Sequence, residues 1–429
     1  MPSDVTPTDS AFLHDLRSFL WQSPSPFHAA SHVTRRAQTA GFTQVDAPTS
    51  EPGQWVLQRD GAVIAWRTPP SPASVRVVGA HTDSPNLRLR PRPDRNGFGY
   101  RQLGVEVYGG ALWNSWLDRD LGLSGRVAVS GRNGSSELIP FLFHEPLLRI
   151  PQLAIHLDRT VNEGLKLNPQ QHLVPLFALH DQNEFSFVEW LAEKIGVQAQ
   201  QIVSFEAMTH DLTPPTLLGA DNSLFASARI DNLVSCHSAA SALLNCQEPT
   251  NGQVQVVCLF DHEEVGSATA TGAAGPLLLN LLEVLFGGRQ QWFSAAPDSI
   301  LLSADAAHAT HPNYPDRHDN EHHIRLDGGP VLKHNVNARY ATDVRTASYV
   351  REIASEISLP LQDFVSRNDI PCGSTIGPFA ASTLGIPTVD CGIPQLSMHS
   401  ARELCAAQEP KRFAQLLTAF FECPDPVAR

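Results

Sequence analysis

From residue 222 onward, short runs of Val, Leu, Ile and Cys alternate with longer stretches of helical spacing. The segment DNLVSCHSAASALLNC (231–246) is helical in period, VQVVCLF (254–260) reads as a strand buried on both faces, and PLLLNLLEVLF (276–286) reads as a helix. SILLSAD (299–305), ASYVREIASEIS (347–358) and PTVDCGIP (387–394) continue the alternation. Strands that take turns with helices pair in a parallel or mixed sheet whose two faces the helices cover. The run SVRVVGA (74–80) has the same texture, and QWVLQ (54–58) and AVIAW (62–66) are shorter strand-like pieces before it. The chain opens with two helical stretches around a Pro-rich turn at Ser23–Pro26.

Between about Pro91 and Gly219 the texture changes. GVEVYGGALW, GRVAVSG and LLRIPQLAIHL are strand-like and separated by Gly and Pro turns, with one helical piece, FSFVEWLAEKIG, before the turn sequence LTPPTLLG. At 429 residues the chain exceeds one simple domain of ~100–200 residues. The expected organisation is an α/β domain with a mixed central sheet flanked by helices, formed by residues 1–94 and 222–429 and interrupted by a β-rich insertion at 95–221.

Charge narrows the partners. With 44 acidic and 31 basic residues the formal net charge is −13, so a phosphate backbone is repelled and no nucleic-acid partner is expected. The first residues, MPSDVTPTDSAFLHDL, have neither a cationic start nor an apolar core of the export type, and no apolar run approaches the ~20 residues of a membrane span. Seven cysteines without a C-x-x-C pair, set in apolar segments such as VVCLF, read as reduced buried thiols. The expected location is the cytoplasm.

The residues able to hold metal fall at recurrent places. His81 and Asp83 follow SVRVVGA; Asp261, Glu263 and Glu264 follow VQVVCLF; Asp305 follows ILLSA; His399 follows IPQLSM; Asp231 stands just before a helix. In open α/β sheets, ligand sites gather beyond the carboxyl ends of strands, so these groups converge if the strands are neighbours. Singly, a His-x-Asp is a turn and a Glu-Glu pair a solvated surface; their recurrence is what points to a metal centre. Imidazoles and carboxylates without thiolates suit Zn2+, Co2+ or Mn2+ in a hydrolytic site. Two ions sharing one carboxylate, about 3.5–4 Å apart, activate water and polarise a carbonyl together. On an extended segment only one of Glu263 and Glu264 faces the ions, leaving the other as a general base. Asp83 is placed to accept the second ring N–H of His81.

Other features read more plainly. Cys372, Ser374 and Thr375 resemble a nucleophile loop, yet GxSxG is absent, so they shape a cleft wall. Most of the His-rich loop 308–323 is polar turn. By residue chemistry alone His156 is either a core or turn histidine or a third imidazole ligand beside His81 and His399.

Ten segments occur in an order that resembles the aspartyl aminopeptidase family of co-catalytic zinc exopeptidases: SPSPFHA (23–29), GAHTDSPNLRLRP (79–91), EVYGGALW (106–113), IPQLAIHLDR (150–159), ARIDNL (228–233), DHEEVGS (261–267), SADAAHATHPNYPDRH (303–318), GGPVLKHNVNARYAT (328–342), RNDIPCGSTIGP (367–378) and GIPQLSMHSARE (392–403). The resemblance implies a zinc-exopeptidase fold with the insertion used for dimerisation, and removal of single residues, Asp or Glu by preference, from peptide N-termini. It places His81 and Asp305 on one ion, Glu264 and His399 on the other, and Asp231 between them, with Glu263 as base and Asp83 as orienting carboxylate. It puts His156, His308, Lys333 and Tyr340 at substrate, with His156 reaching a neighbouring subunit's site. It further implies dimers assembling into a tetrahedral dodecamer. A deacylase or carboxypeptidase on the same di-metal fold, and a non-catalytic metal-stabilised scaffold, are the alternatives.

Overall fold

The computed structural model describes residues 7–131, 135–179, 185–248 and 251–423, with the side chains of 7–10 excepted. The chain forms two compact units: residues through Asp83, Pro215–Met398 and Glu403 onward make the first, and Ser84–Pro214 with His399–Arg402 make the second.

The first unit is built on a nine-stranded mixed sheet in the order Thr43–Gln44, Gly53–Arg59, Ala62–Thr68, Gln253–Phe260, Ser74–His81, Ile300–Ala304, Thr388–Gly392, Val331–His334, Gln362–Val365. Its four central strands run parallel. The hairpin Gly53–Arg59/Ala62–Thr68 is antiparallel, as is Val331–His334 against Thr388–Gly392. The strand period of two divides the apolar side chains between the faces. Val78, Ala80, Val257 and Leu259 pack into one cluster with the helices Pro26–Thr39, Ile230–Asn245, Val344–Glu356 and Glu409–Glu422. Val75, Val77, Val256 and Cys258 pack on the other face with Leu277–Leu285, Arg289–Ala295 and Ile376–Leu384. Burial on both faces is why these strands are near-continuous apolar runs. A smaller five-stranded sheet joins Thr216–Leu218, Leu224–Ser227, Glu403–Ala406, Pro394–Leu396 and Ala307–His308.

The second unit is a closed six-stranded barrel ordered Ile202–Asp211, Asn86–Gly97, Tyr100–Tyr108, Leu176–Leu179, Ser136–Arg149, Asp120–Ser130. The helix Phe187–Ile195 is capped at its start by the Ser186 hydroxyl and ended by left-handed Gly196, and it buries Phe187 and Leu191 in the barrel's core. The strand Asn86–Gly97 passes through residue 94, so the texture change read at about residue 91 falls inside an element.

One strand-like segment departs from expectation. LLRIPQLAIHL is extended sheet only to Arg149, and 150–157 form no strand. Pro151 has no N–H to give a ladder, and Leu153, Ile155 and Leu157 stay 58%, 45% and 75% exposed. The seven cysteines are free thiols, five buried and Cys372 and Cys423 half-buried. Among the described residues no helix is long and apolar enough to cross a membrane.

The helix Ile230–Asn245 is packed so closely that its His237 is fully buried, with Nε2 2.8 Å from the Asp15 carboxylate. Asp15 also pairs with Arg36 at 2.9 Å. The His237 hydrogen bond holds the Asp15 carboxyl down at about 2. Removing the carboxylate strands a buried imidazole nitrogen, a loss of about 1–3 kcal/mol. Asp15→Ala is therefore expected to lower the unfolding midpoint at pH 7, and urea titrations across pH check the sign. Because the folded pKa is depressed, the Asp15 contribution is present above the ordinary carboxyl value of 3.8 and fades as pH falls toward about 2. The gap between wild type and variant narrows over that window.

Candidate metal centre

Three parallel strands deliver the site. Ser74–His81 lies between Gln253–Phe260 and Ile300–Ala304, and Phe260 is in register with His81. His81 thus ends one strand, while Asp261–Glu264 and Asp305 follow directly on its two neighbours. The turn beyond His81 is fixed by Thr82, whose N–H donates to the Phe260 carbonyl at 2.8 Å and whose hydroxyl donates to Gly61 O at 2.6 Å.

His81 is 1% exposed, and its Nδ1 lies 3.0 Å from the main-chain oxygen of Asp83 and 3.4 Å from the Asp83 carboxylate. The carbonyl therefore takes the closer contact. The Asp83 carboxylate accepts the backbone N–H groups of Glu263 and Glu264 at 3.0 and 3.1 Å. This aspartate ties the His81 strand to the turn that carries both glutamates, a role that sequence spacing alone did not reveal. The turn itself is a short 3-10 helix, Glu263–Val265, entered through His262 at φ +64°. Neighbours on such a turn are not sent to opposite sides. Both glutamates offer an oxygen within 4.8 Å of a His81 ring nitrogen.

The His81 Nε2 atom is 3.6 Å from Asp231 Oδ1, 3.7 Å from Asp305 Oδ1 and 4.0 Å from Glu263 Oε2. These separations exceed hydrogen-bond length. They approach the ~3.3 Å between two ligands each about 2.0–2.1 Å from one tetrahedral zinc ion. His81, Asp231 and Asp305 thus make one potential ligand group, and His81, Glu263 and Glu264 another.

Electrostatics favours cations at this place. Asp83, Asp231 and Asp305 are buried, and Glu263 and Glu264 half-buried, near His81. Burial opposes a charged His81, yet the nearby carboxylates of Asp231, Asp305 and Asp83 outweigh it and carry the ring well above its ordinary pKa. At Glu263, burial and the carboxylates of Asp305, Asp231 and Asp83 outweigh the opposing pull of His81, and its carboxyl is pushed up to about 7. A neighbouring thiol adds no ligand: Cys236 donates to the His81 carbonyl at 2.9 Å, and burial raises it to about 12. Imidazole and carboxylate oxygens in this density suit zinc and its borderline relatives.

Asp231 is held through its main chain. It stands in the first turn of Ile230–Asn245 with non-helical φ −79° and ψ 110°, after Arg229 at φ +59° and before a cis peptide bond to Asn232. Its N–H donates to Glu403 Oε2 at 2.9 Å, and the Asn232 side-chain amide donates to Ala304 O at 2.8 Å. Asp305 is paired by Lys333, whose Nζ is 3.3 Å from Oδ2, donates to Ala306 O at 3.1 Å and lies 5.0 Å from the Tyr340 ring. Lys333 is 2% exposed and Tyr340 6%. Both are therefore part of the buried wall behind Asp305. Burial, and then Cys372, raise the Tyr340 hydroxyl pKa. Thr375 caps the helix Ile376–Leu384 and donates to Asp390 at 2.6 Å, which gives it a structural task.

His308 is exposed on the short strand Ala307–His308, 6.0 Å from the Phe364 ring. His156 and His399 belong to the second unit. His156 is exposed on the irregular segment after Arg149. His399, at φ +66°, has Nδ1 3.1 Å from the Gly110 carbonyl; donation there puts the ring's lone pair on Nε2, the form that ligates metal.

The comparisons agree with this chemistry. Residues 19–421 match the family described as aminopeptidase I zinc metalloprotease (M18). A relative named "Probable M18 family aminopeptidase 2" from Streptomyces avermitilis is 47% identical over 428 residues, covering 96% of this chain and 98% of its own. Its namesake in Mycobacterium tuberculosis is 44% identical over 427 residues, covering 96% and 98%. Among solved structures, a complex of Ape4 and Nbr1 superposes with a TM-score of 0.93 at 35% identity, covering 98% of this chain and 87% of that one. The dodecamer of mApe1 from S. cerevisiae gives 0.83 at 25%, covering 97% of each chain. A strand-end cluster of carboxylates around His81, in a chain matched from end to end by peptide-cleaving zinc enzymes, places this protein in the M18 family of aminopeptidases.

Proposed function

We propose that the chain is a di-zinc aminopeptidase that prefers peptides beginning with Asp or Glu. His81 and Asp305 hold one ion, Glu264 and His399 the other, and Asp231 is shared; Co2+ and Mn2+ are the candidate substitutes. What supports this reading is the spacing of His81 Nε2 from Asp231 and Asp305, at 3.6 and 3.7 Å, within a set of carboxylates that needs countercharge. The place of His399 rests on the sequence pattern and on its Nδ1 contact with Gly110.

The bound ions would supply Lewis acidity, polarising the scissile carbonyl and acidifying a water molecule. Glu263 takes the proton of that water and delivers it to the leaving amine. Asp83 holds the turn that aims Glu263, through its contact with the Glu263 N–H. Lys333 is the cation this reading assigns to a substrate carboxylate, its Nζ held beside the centre by the Ala306 carbonyl and the Asp305 carboxylate. Tyr340 and His308 stand with it at the substrate. No observation favours a deacylase, a carboxypeptidase or a bare scaffold.

Assembly completes the reading. Leu153, Ile155 and Leu157 expose apolar surface on both sides of His156, and a second copy of the chain would cover it. We therefore read the barrel unit as a dimerisation element, its dimers building a tetrahedral dodecamer in which His156 enters a neighbour's site. Free thiols throughout suit the cytoplasm.

Elemental analysis is expected to find two ions per chain. Metal-stripped protein should be inactive and recover on Zn2+, and a panel of aminoacyl chromophores should show Asp and Glu cleaved fastest. One ion in fully active protein, or equal rates for Leu and Asp, overturns the respective part. Glu263→Gln should keep both ions and lose several orders of magnitude in kcat, whereas Glu264→Gln should weaken metal retention, as chelator competition would read. His156→Phe should assemble and load metal yet lose most activity, because a donor to the developing oxyanion is missing. Hybrids of His156→Phe and Glu263→Gln chains should regain activity; a fully active monomer on sedimentation sinks the shared site.

A further inference from the structure

We infer that Glu403 is a positioning residue for the metal centre: its carboxylate sets the orientation of Asp231 and thereby the affinity of the ions that Asp231 joins. The inference rests on the di-metal reading and adds to it a residue that no ligand pattern names.

Glu403 opens the strand Glu403–Ala406, in register with Ser227 at the end of Leu224–Ser227. The chain then runs through Ala228 and Arg229 to Asp231. Glu403 is 2% exposed, and its two oxygens are divided. Oε2 accepts the Asp231 N–H at 2.9 Å, and Oε1 lies 3.4 Å from the Gln395 side-chain amide on the adjoining strand Pro394–Leu396. A second acidic side chain beside Asp231 is expensive to bury where carboxylates already crowd.

Geometry accounts for its presence. Asp231 does not have helical dihedrals, so the regular turn of the helix does not fix its direction. Its peptide is instead held from two sides. Asn232 ties it to Ala304, the residue before Asp305, and Glu403 ties it to the small sheet. The first tie keeps Asp231 beside Asp305; the second governs rotation of Asp231 about that anchor. Loss of the Glu403 acceptor would remove one of these two ties on the Asp231 main chain. Groups that orient a metal ligand in this way typically alter metal affinity by roughly 10–100-fold.

The test uses the full-length protein. Wild type, Glu403→Gln, Glu403→Leu and the remote Asp15→Ala are titrated with Zn2+ against a chromogenic chelator. Co2+-loaded samples are compared by their visible absorption. Glu403→Gln keeps an oxygen acceptor for the Asp231 N–H, so it should fall only a fewfold in affinity. Glu403→Leu should lose roughly 10–100-fold and change the Co2+ band shape. Asp15→Ala should lose stability while keeping wild-type affinity and spectrum, which separates positioning from general loosening. If wild type binds two ions and all three variants match it in affinity and spectrum, Glu403 does not position the centre. The inference also fails if Glu403→Leu falls no further than Asp15→Ala. If wild type binds fewer than two ions, the di-metal reading itself is wrong. An unfolded Glu403→Leu, judged by circular dichroism, leaves the decision to Glu403→Gln and Glu403→Asp. Both should keep the fold, with the shorter Asp showing the larger loss of affinity and wild-type values for both overturning the inference.

Discussion

Three buried aspartates and two half-buried glutamates gathered near His81 cannot share a low-dielectric volume without compensating positive charge. The protein supplies some of it. Lys333 pairs with Asp305, and the backbone N–H groups of Glu263 and Glu264 solvate Asp83. The remainder falls on His81 and on whatever cation the ligands hold. Much of the first unit serves this concentration of charge. Parallel strands bring the ligand-bearing ends into line, and helices on both faces keep water from the strands behind them.

A strand end suits ligands that must converge because neighbouring parallel strands end together, about 4.8 Å apart, and each contributes the residues just beyond it. His81, the Asp261–Glu264 segment and Asp305 are separated in sequence by about 180 and 40 residues, yet they occupy three adjacent positions along one sheet edge. Residues spaced so far apart become neighbours only when the whole sheet order is formed, so the site exists only in the folded chain.

Much of this was legible in the sequence. Strands buried on both faces announce themselves as apolar runs, and VQVVCLF and ILLSA could be nothing else at their length. The ligand types following them were visible for the same local reason. Other features escaped because they depend on tertiary partners. The apolar alternation of 150–157 matches that of a strand, but a strand requires a neighbour, and Leu153, Ile155 and Leu157 find none among the described residues. The junctions of the second unit, after Asp83 and after Pro214, lie at strand ends that carry no change in composition, whereas the texture shift begins several residues later. The engagement of Lys333 by Asp305 and of Glu403 by Asp231 follows from side chains meeting across strands far apart in sequence, and no periodicity encodes it.

Asp83 is the last residue of the first unit before the chain departs into the barrel. The same residue touches the His81 ring and anchors the turn of Glu263 and Glu264. The covalent exit to the inserted unit is therefore soldered to the chemistry. An engineer who tried to excise the barrel by joining residue 83 to residue 215 would be redrawing the backbone at a group that touches the His81 ring and holds the turn of Glu263 and Glu264. Grafting a foreign module at this junction carries the same hazard. In this architecture the insertion is not a detachable accessory: modularity stops at Asp83.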